Sequence, residues 1–304
     1  MKYLSFRTAN GYESVGALVQ GDKAMDLGTH LPDATIGLSP IRRLLELHGT
    51  ALPTDEDDLL GLPGFDIRSV EFLPLIPDPG KIIAAPVNYL DHKAEMNEDA
   101  HIDGLGVFLK APTSVIATGG TVELPYTDRR FDQEGELAFV IGKTARHVTI
   151  DDAPDYIAGY TCLLDMTMRG GEDRSTRKSF DTFTPVGPFL VTPDEVGKVG
   201  NLELRTRVNG DLRQHADIAD LIWGVPQLLA YASSVMTLYA GDIVTTGTPA
   251  GIGQVHDGDT VSIEISRLGT LEVSVSAKHA VACPTKGADR GPKPPSDITP
   301  IANR

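Results

Sequence analysis

Short apolar runs of strand type, with few helical patterns between them, constrain the fold of this chain most strongly. After residue 80 these runs are KIIAAPV, GVFLKAP, TSVIATG, ELAFVIG, AGYTCLLDMT, GPFLVT, LELRTRVNG, GDIVTTGTP, DTVSIEIS and TLEVSVSA. Strands and helices do not alternate regularly, which argues against a doubly wound parallel sheet. We therefore predict an α+β fold that is predominantly β.

The composition of the chain changes at two places, and these changes predict three segments. Residues 1–75 carry short strands and one helix, which predicts a small N-terminal α/β domain. Residues 76–282 follow a Pro-rich joint and carry most of the strand-like runs, so they form the main domain. Residues 283–304 are rich in Pro and Gly and are predicted to be a flexible tail.

Two helical patterns have clear signals. SPIRRLLELHG predicts a helix with Ser39 as N-cap, Pro40 at the first helical position and Gly49 as C-cap. IWGVPQLLAYASSVMTLYAG predicts a second helix, which ends at Gly241.

The charge and cysteine content narrow the class of protein. The formal net charge of −15 argues against nucleic acid or an anionic membrane as a partner. Two distant cysteines, Cys162 and Cys283, make neither a disulfide framework nor a cysteine zinc site. Since no secretory signal or long apolar run is present, we expect a cytoplasmic protein.

The segment FDQEGELAFVIG places Asp132, Glu134 and Glu136 two residues apart at the entrance to an apolar run. In a continuous strand they would share one face, where they repel one another. One interpretation is a solvated strand face. The other is a site for a hard cation such as Mg²⁺ or Mn²⁺, completed by Asp165 in the apolar stretch YTCLLDMT. No His-rich or Cys-rich spacing favours zinc.

The segment NYLDHKAEM places His92 and Glu95 three residues apart. On a helical turn they would lie on one face and could hydrogen-bond. A carboxylate that holds an imidazole is a common way to build a general base, but such pairs are also common on exposed helices.

Other polar residues are open to two interpretations as well. Lys178 and Lys110 could stabilise developing negative charge or lie on the surface. Arg169 could bind a substrate carboxylate or form an ordinary ion pair. The glycine-containing bend with Gly247 and Thr248 could bind an anion or be a simple turn.

The order of these motifs resembles that of one known family. NYxxHxxE, FLK, DxExELAFVIGK, GYTxxxDxxxR, KSFDTFTPVGPF and GDIVTTGTPAGIG occur in that order, over about residues 80–282. This series is similar to the fumarylacetoacetate hydrolase family. The resemblance implies a mixed β-sandwich roll, a homodimer and a divalent metal, Mg²⁺ or Mn²⁺.

The resemblance also implies three groups of site residues, while Asp132 would be a flanking acid and not a ligand. The implied metal ligands are Glu134, Glu136 and Asp165. The implied catalytic residues are His92 and Glu95, which activate water, and Lys178. The implied substrate-binding residues are Lys110, Arg169, Gly247 and Thr248.

This chain departs from the family pattern beside the expected substrate pocket. Leu164 replaces a polar neighbour of the metal-binding aspartate, and Glu172 stands where a glutamine is common. The connection from Arg169 to Lys178 is also short. These changes bear on substrate identity more than on the metal.

The family resemblance implies hydrolysis of a C–C bond in a 2,4-dioxo acid, such as an acylpyruvate or a fumarylpyruvate-like compound. The same site could instead serve an isomerase of the 5-carboxymethyl-2-hydroxymuconate type or an oxaloacetate-type decarboxylase. A third hypothesis is a catalytically silent oligomer stabilised by metal. The pair His92 and Glu95 favours hydrolysis, because isomerisation needs no activated water.

Overall fold

The computed structural model describes residues 1–31, 37–287 and 294–295. Within these ranges strands predominate over short helices, which confirms the predominantly β class. The first strands are β1 Lys2–Arg7, β2 Glu13–Gln20, β3 Lys23–Asp26, β4 Gly64–Asp66, β5 Glu71–Phe72, β6 Ile82–Ala84, β7 Phe108–Lys110, β8 Val115–Ile116, β9 Thr121–Glu123 and β10 Phe131–Gln133. The later strands are β11 Gly135–Ile141, β12 Ile157–Leu164, β13 Thr167–Met168, β14 Thr184–Val191, β15 Glu203–Val208, β16 Asp211–Asp217, β17 Ile243–Thr245, β18 Gly253–Gln254, β19 Thr260–Ile265 and β20 Gly269–Ser276. The α-helices are α1 Pro40–His48, α2 Leu90–Glu95, α3 Ile102–Leu105, α4 Arg174–Lys178, α5 Pro193–Val196 and α6 Val225–Val235.

The strands form three sheets. The largest has 12 strands, with β4-β3-β2-β1-β14-β12-β11-β17-β6-β7 along its main path. Most of its pairs are antiparallel, but β17 and β6 run parallel, so the sheet is mixed. A five-stranded sheet, β16-β15-β19-β20-β9, and a three-stranded sheet, β13-β10-β18, complete the sandwich.

The N-terminal strands extend the largest sheet. Strand β1 pairs antiparallel with β14, with Lys2 opposite Val191. The sheet therefore crosses residue 75, where the sequence predicts a domain boundary, and the division into two domains stays a prediction. In the predicted tail, the Cys283 N–H donates to Asp128 and the Gly171 N–H donates to the Gly287 carbonyl. Residues 288–293 and 296–304 of that tail lie outside the described residues.

Strand β11 lies at the centre of the core, which explains its uninterrupted apolar sequence. Leu137 and Phe139 pack in the larger apolar cluster, together with side chains of the five-stranded sheet and α6. Ala138 and Val140 pack on the opposite face, in the cluster that contains α1. Since both faces are covered, alternation between polar and apolar residues is lost.

One predicted helix is confirmed and the end of the other is wrong. Helix α1 begins after Ser39, whose side chain accepts from the Arg42 N–H, and ends at Gly49 with φ 61°. Helix α6 ends at Val235 and not at Gly241, because Met236 is extended and Leu238 exchanges backbone hydrogen bonds with Ala145. No helix of the described ranges is long and apolar enough to cross a membrane.

Candidate active site

The three acids of FDQEGELAFVIG do not share one continuous strand. Strand β10 ends at Gln133 and β11 begins at Gly135, and the two strands belong to different sheets. Glu134 is the single residue between the two strands. The expectation that residues 132–136 form one continuous strand, with side chains that alternate between its faces, is therefore wrong. Asp132 is fully buried, and its two carboxylate oxygens accept from Arg130 and Arg169, each at 2.7 Å.

Glu134, Glu136 and Asp165 form a buried acid triad. One carboxylate oxygen of each lies within 4.8 Å of the other two. Their residues are only 4%, 2% and 1% exposed, so the interpretation as a solvated face is wrong. Asp165 directly follows β12, and its N–H donates to the Glu134 carbonyl at 2.8 Å. An all-oxygen donor set of this kind suits Mg²⁺ or Mn²⁺.

Two buried lysines compensate part of this negative charge. Lys178 Nζ donates to Glu134 Oε2 at 2.6 Å, to Thr167 Oγ1 at 2.7 Å and to Asp165. Lys110 Nζ donates to Asp165 and, at 3.0 Å, to the Phe183 carbonyl. Burial alone would lower the pKa of Lys178, but Asp165 and Glu134 raise it above its ordinary value. For Lys110 burial dominates and its pKa is lowered.

Glu136 has no such direct contact with a lysine in the described part of the chain. It forms no ion pair among those of the described residues; its Oε2 accepts from Thr245 Oγ1 and, at 3.0 Å, from the Gly247 N–H. Burial, followed by the nearby Asp165, raises the pKa of Glu136 to about 8. Glu134 behaves oppositely: burial favours its neutral form, but Lys178 and Arg169 hold its pKa below the ordinary value. A cation in the acid triad would give Glu136 the positive partner that it lacks.

Arg169 links the acid triad to Asp132. Its Nε donates to Asp132 Oδ2 at 2.7 Å and its Nη2 to Glu134 Oε1 at 2.6 Å. The ion-pair interpretation of this residue is therefore confirmed, and contact with a substrate carboxylate stays a prediction.

His92 and Glu95 lie together on α2, as their spacing predicts. His92 Nδ1 is 3.1 Å from Glu95 Oε2, and Glu95 Oε1 accepts from the Gly251 N–H at 3.0 Å. Glu95 is thus fixed at both oxygens. It orients the imidazole and favours a proton on Nδ1, which leaves Nε2 as the basic nitrogen.

The bend after β17 supports the site through its backbone and one hydroxyl. Gly247 has φ 88°, and a Cβ there would lie 3.0 Å from the Ala85 carbonyl oxygen, so the bend requires glycine. Thr248 Oγ1 donates to the Gly135 carbonyl at 2.9 Å and accepts from Gln214 Nε2 at 2.7 Å. Substrate contacts of Gly247 and Thr248 stay predictions.

A small cleft, open to solvent, brings most of the predicted residues together. The predicted site residues that line it are His92, Glu134, Glu136, Asp165, Arg169, Lys178 and Thr248. The other three are not among its lining residues: Glu95 lies behind His92, Lys110 behind Asp165, and Gly247 behind Glu136.

Sequence reasoning missed three charged residues of the cleft, Glu98, Arg174 and Arg177. Both arginines lie on α4, directly before Lys178, in the sequence RSTRK. The sequence does hold a signal for the two arginines. Three cationic residues occur within five positions, in the short connection that departs from the family pattern. Burial, with the nearby Arg169, lowers the pKa of Arg177.

Comparison with known proteins shows the family to which the chain belongs. The family model described as fumarylacetoacetate (FAA) hydrolase C-terminal matches residues 81–276. A maleylpyruvate hydrolase of Aquipseudomonas alcaligenes is 41% identical over 272 residues, which is 85% of this chain and 95% of that protein. Oxaloacetate tautomerase YisK of Bacillus subtilis is 39% identical over 233 residues, covering 72% of this chain and 76% of that protein.

A solved structure shows the same fold with ligands. Maleylpyruvate hydrolase from Sphingobium sp. SYK-6, in complex with manganese(II) ion and pyruvate, superimposes with a TM-score of 0.76 at 36% identity. The match covers 91% of this chain and 99% of that one. Motif order, fold, acid triad and relatives agree, and the chain belongs to the fumarylacetoacetate hydrolase family.

Proposed function

We propose that this chain is a divalent-metal-dependent hydrolase that cleaves a C–C bond in a 2,4-dioxo acid of the acylpyruvate or fumarylpyruvate type. One observation carries the proposal: His92, fixed by Glu95, lines the same cleft as the acid triad and Lys178. The hydrolase activity named for two relatives supports it.

Glu134, Glu136 and Asp165 would hold the metal, Mg²⁺ or Mn²⁺. Three buried carboxylates within reach of one another, one of them without a cationic partner, fit a divalent cation. When bound, such a cation acts as a Lewis acid and orients the 2-oxo acid end of the substrate.

His92 would then activate water. Its Nε2 takes one proton while the water oxygen attacks the C4 carbonyl of the 2,4-dioxo acid, and Glu95 stabilises the imidazolium. The C3–C4 bond breaks, its electron pair remains on C3, and the proton from His92 converts C3 to the methyl group of pyruvate. C4 leaves as a carboxylic acid, so one water is consumed and atoms balance.

Lys178 would stabilise the negative charge that develops on the pyruvate half. Its ammonium group already lies among the oxygens of Glu134, Asp165 and Thr167, and its raised pKa keeps it charged at neutral pH. A preorganised donor of this kind contributes about 10²–10³-fold to a rate.

The test is an assay of the chelator-treated protein on acetylpyruvate, fumarylpyruvate, oxaloacetate and a hydroxymuconate, with Mg²⁺, with Mn²⁺ or without metal. Ultraviolet absorbance follows loss of the dioxo acid, and a coupled assay measures pyruvate. We expect metal-dependent release of equal amounts of pyruvate and carboxylic acid from a 2,4-dioxo acid. Full activity without metal contradicts the metal dependence, and absence of pyruvate from every dioxo acid contradicts hydrolysis.

Isomerisation is the second candidate. The tautomerase named among the relatives supports it, and the acid triad and Lys178 would serve enolisation without attack by water. In the same assay, interconversion of keto and enol forms without C–C cleavage would favour this candidate. Release of CO₂ together with pyruvate from oxaloacetate would favour decarboxylation. Stabilisation by metal without any turnover would favour the silent oligomer.

A further inference from the structure

Arg177 is a buried cation of the cleft that forms no ion pair with any carboxylate of the described residues. The residue is 9% exposed and lines the cleft. Its Nε donates to the Glu172 carbonyl at 2.9 Å and its Nη1 to the Met168 carbonyl at 3.4 Å. No ion pair within the described part of the chain includes it. Since a guanidinium carries five N–H groups, three of them find no acceptor there.

The other cations of the cleft are paired. Arg169 pairs with Asp132 and Glu134, and Lys178 pairs with Glu134 and Asp165. Arg174, on the same helix as Arg177, lies 3.6 Å from Glu98 Oε1. Arg177 thus differs from its neighbours in forming no ion pair within the described ranges, and a buried charge without a direct partner is costly.

The carboxylate of Glu172, the residue whose carbonyl accepts from Arg177, is engaged elsewhere. Glu172 offers only its carbonyl to that guanidinium, and its carboxylate binds Arg129 and Thr285. Both of these contacts are made by Glu172 Oε1, and neither involves Arg177. An anion that enters the cleft would provide the compensation.

We propose that Arg177 binds a second carboxylate of the substrate, at the end of the acyl group beyond the cleaved bond. A guanidinium fork binds carboxylates in a bidentate manner, which gives direction as well as affinity. The chain would therefore select 2,4-dioxo diacids over acylpyruvates with a neutral acyl group. This inference rests on the proposed function, because the 2-oxo end is taken to lie at the acid triad.

The first test measures binding without catalysis. The Mn²⁺-loaded protein is titrated by calorimetry with 2-oxoheptanedioate and with 2-oxoheptanoate, which have equal length but differ in the terminal carboxylate. Neither has a 4-oxo group, so neither can be cleaved by the proposed reaction. We expect the diacid to bind about tenfold to a hundredfold more tightly. Equal affinities in the unsubstituted protein would overturn the proposal.

Arg177→Gln should abolish this preference and weaken binding of the diacid much more than binding of the monoacid. Arg177→Lys keeps the charge but not the fork and should retain part of the preference. Thermal unfolding and Mn²⁺ affinity of each variant show whether the fold and the acid triad are intact. If the preference survives in both folded variants, Arg177 is not the binding group.

Arg174→Gln is the matched control, because it removes the same charge from the same helix and cleft. We expect it to reduce the preference less than Arg177→Gln does, since Arg174 already has Glu98. Equal losses would indicate a general electrostatic effect and would contradict a direct contact at Arg177.

Kinetics separate this proposal from the proposed function. If diacid preference depends on Arg177 but no dioxo acid is cleaved, the carboxylate site stands and the hydrolase function fails. If fumarylpyruvate and acetylpyruvate are cleaved with similar kcat/KM, the function stands and the carboxylate site fails. Arg177→Gln should lower kcat/KM for fumarylpyruvate at least tenfold more than for acetylpyruvate.

Discussion

The acid triad and helix α4, which line the same cleft, differ in the sign of the charge that lacks an ion-pair partner among the described residues. At the acid triad, Lys178 and Arg169 neutralise Glu134, whereas Glu136 has no cationic partner within the described residues. At α4, Glu98 lies beside Arg174, whereas Arg177 has only backbone carbonyls. Glu136 thus lacks a cationic partner and Arg177 lacks an anionic one. A metal together with a dicarboxylic substrate would satisfy both.

Removal of charge at the acid triad should have the largest effect. Asp165→Asn deprives Lys110 and Lys178 of their shared carboxylate. Loss of one partner from a buried ion pair costs about 3–5 kcal/mol. We expect Mn²⁺ binding and turnover to fall below detection and the free energy of unfolding to decrease, as measured by calorimetry, assay and denaturant titration. Asp211→Asn, at an exposed acid of β16, is the control and should change neither. Normal Mn²⁺ affinity in Asp165→Asn would contradict the assignment of the acid triad.

Loss of the imidazole should have the next largest effect, and it should be selective. We expect His92→Ala to lower kcat for C–C hydrolysis by about 10²–10⁴-fold, the usual contribution of a general base. Exchange of the C3 protons of pyruvate, measured by NMR in D₂O with Mn²⁺ replaced by Mg²⁺, should fall much less. An equal loss of both reactions would show that His92 does not act by activating water.

The pH dependence of metal binding tests the uncompensated carboxyl group. Because the pKa of Glu136 is about 8 without metal, its carboxyl is protonated below that pH and must lose the proton to bind a cation. Mg²⁺ affinity should therefore rise by about tenfold per pH unit up to pH 8 and then level off. If the Mg²⁺ affinity does not change between pH 6 and pH 8, the pKa of the Glu136 carboxyl is not raised.

The near-isosteric variant Thr245→Val tests whether a hydrogen bond to Glu136 sets the pH dependence of metal binding. The Thr245 hydroxyl donates to Glu136 and lowers the pKa of that carboxyl. Without it the pKa rises further, so the curve of affinity against pH should shift to higher pH. No shift, in a variant of unchanged fold, would show that the hydroxyl does not tune the ligand.

The raised pKa of Glu136 also makes the free energy of unfolding of the metal-free protein depend on pH. The folded-state pKa of Glu136 lies above the ordinary value of 4.5, so the folded state holds a proton that the unfolded state has lost. Glu136 therefore makes the free energy of unfolding fall as pH rises from about 4.5 to 8. Saturation with Mg²⁺ should reverse this contribution, which denaturant titration at several pH values can measure.

Local patterns predicted much of the fold, and the order of motifs along the chain predicted the acid triad. The caps of α1 act within a few residues, so Ser39 and Gly49 marked its ends correctly. The i, i+3 spacing of His92 and Glu95 is also a local property of one helical turn. Glu134, Glu136 and Asp165 were found through the order of motifs and not through strand alternation, which fails at the break between β10 and β11.

Long-range charge pairing could not be predicted from the sequence. Lys110 is separated from Asp165 by 55 residues, and only the fold shows that its ammonium lies behind that acid. The unpaired state of Arg177 has the same origin, because it depends on Glu172 binding Arg129 and Thr285. The end of α6 also depends on a distant partner, since Ala145 binds the backbone of Leu238.

A crystal structure of this chain with Mn²⁺ and pyruvate would test the central claim most directly. Anomalous scattering locates the ion without assumptions about its ligands. We predict one Mn²⁺ bound by carboxylate oxygens of Glu134, Glu136 and Asp165, with pyruvate in the same cleft and His92 beside it. An ion bound elsewhere, or pyruvate outside the cleft, would contradict the account.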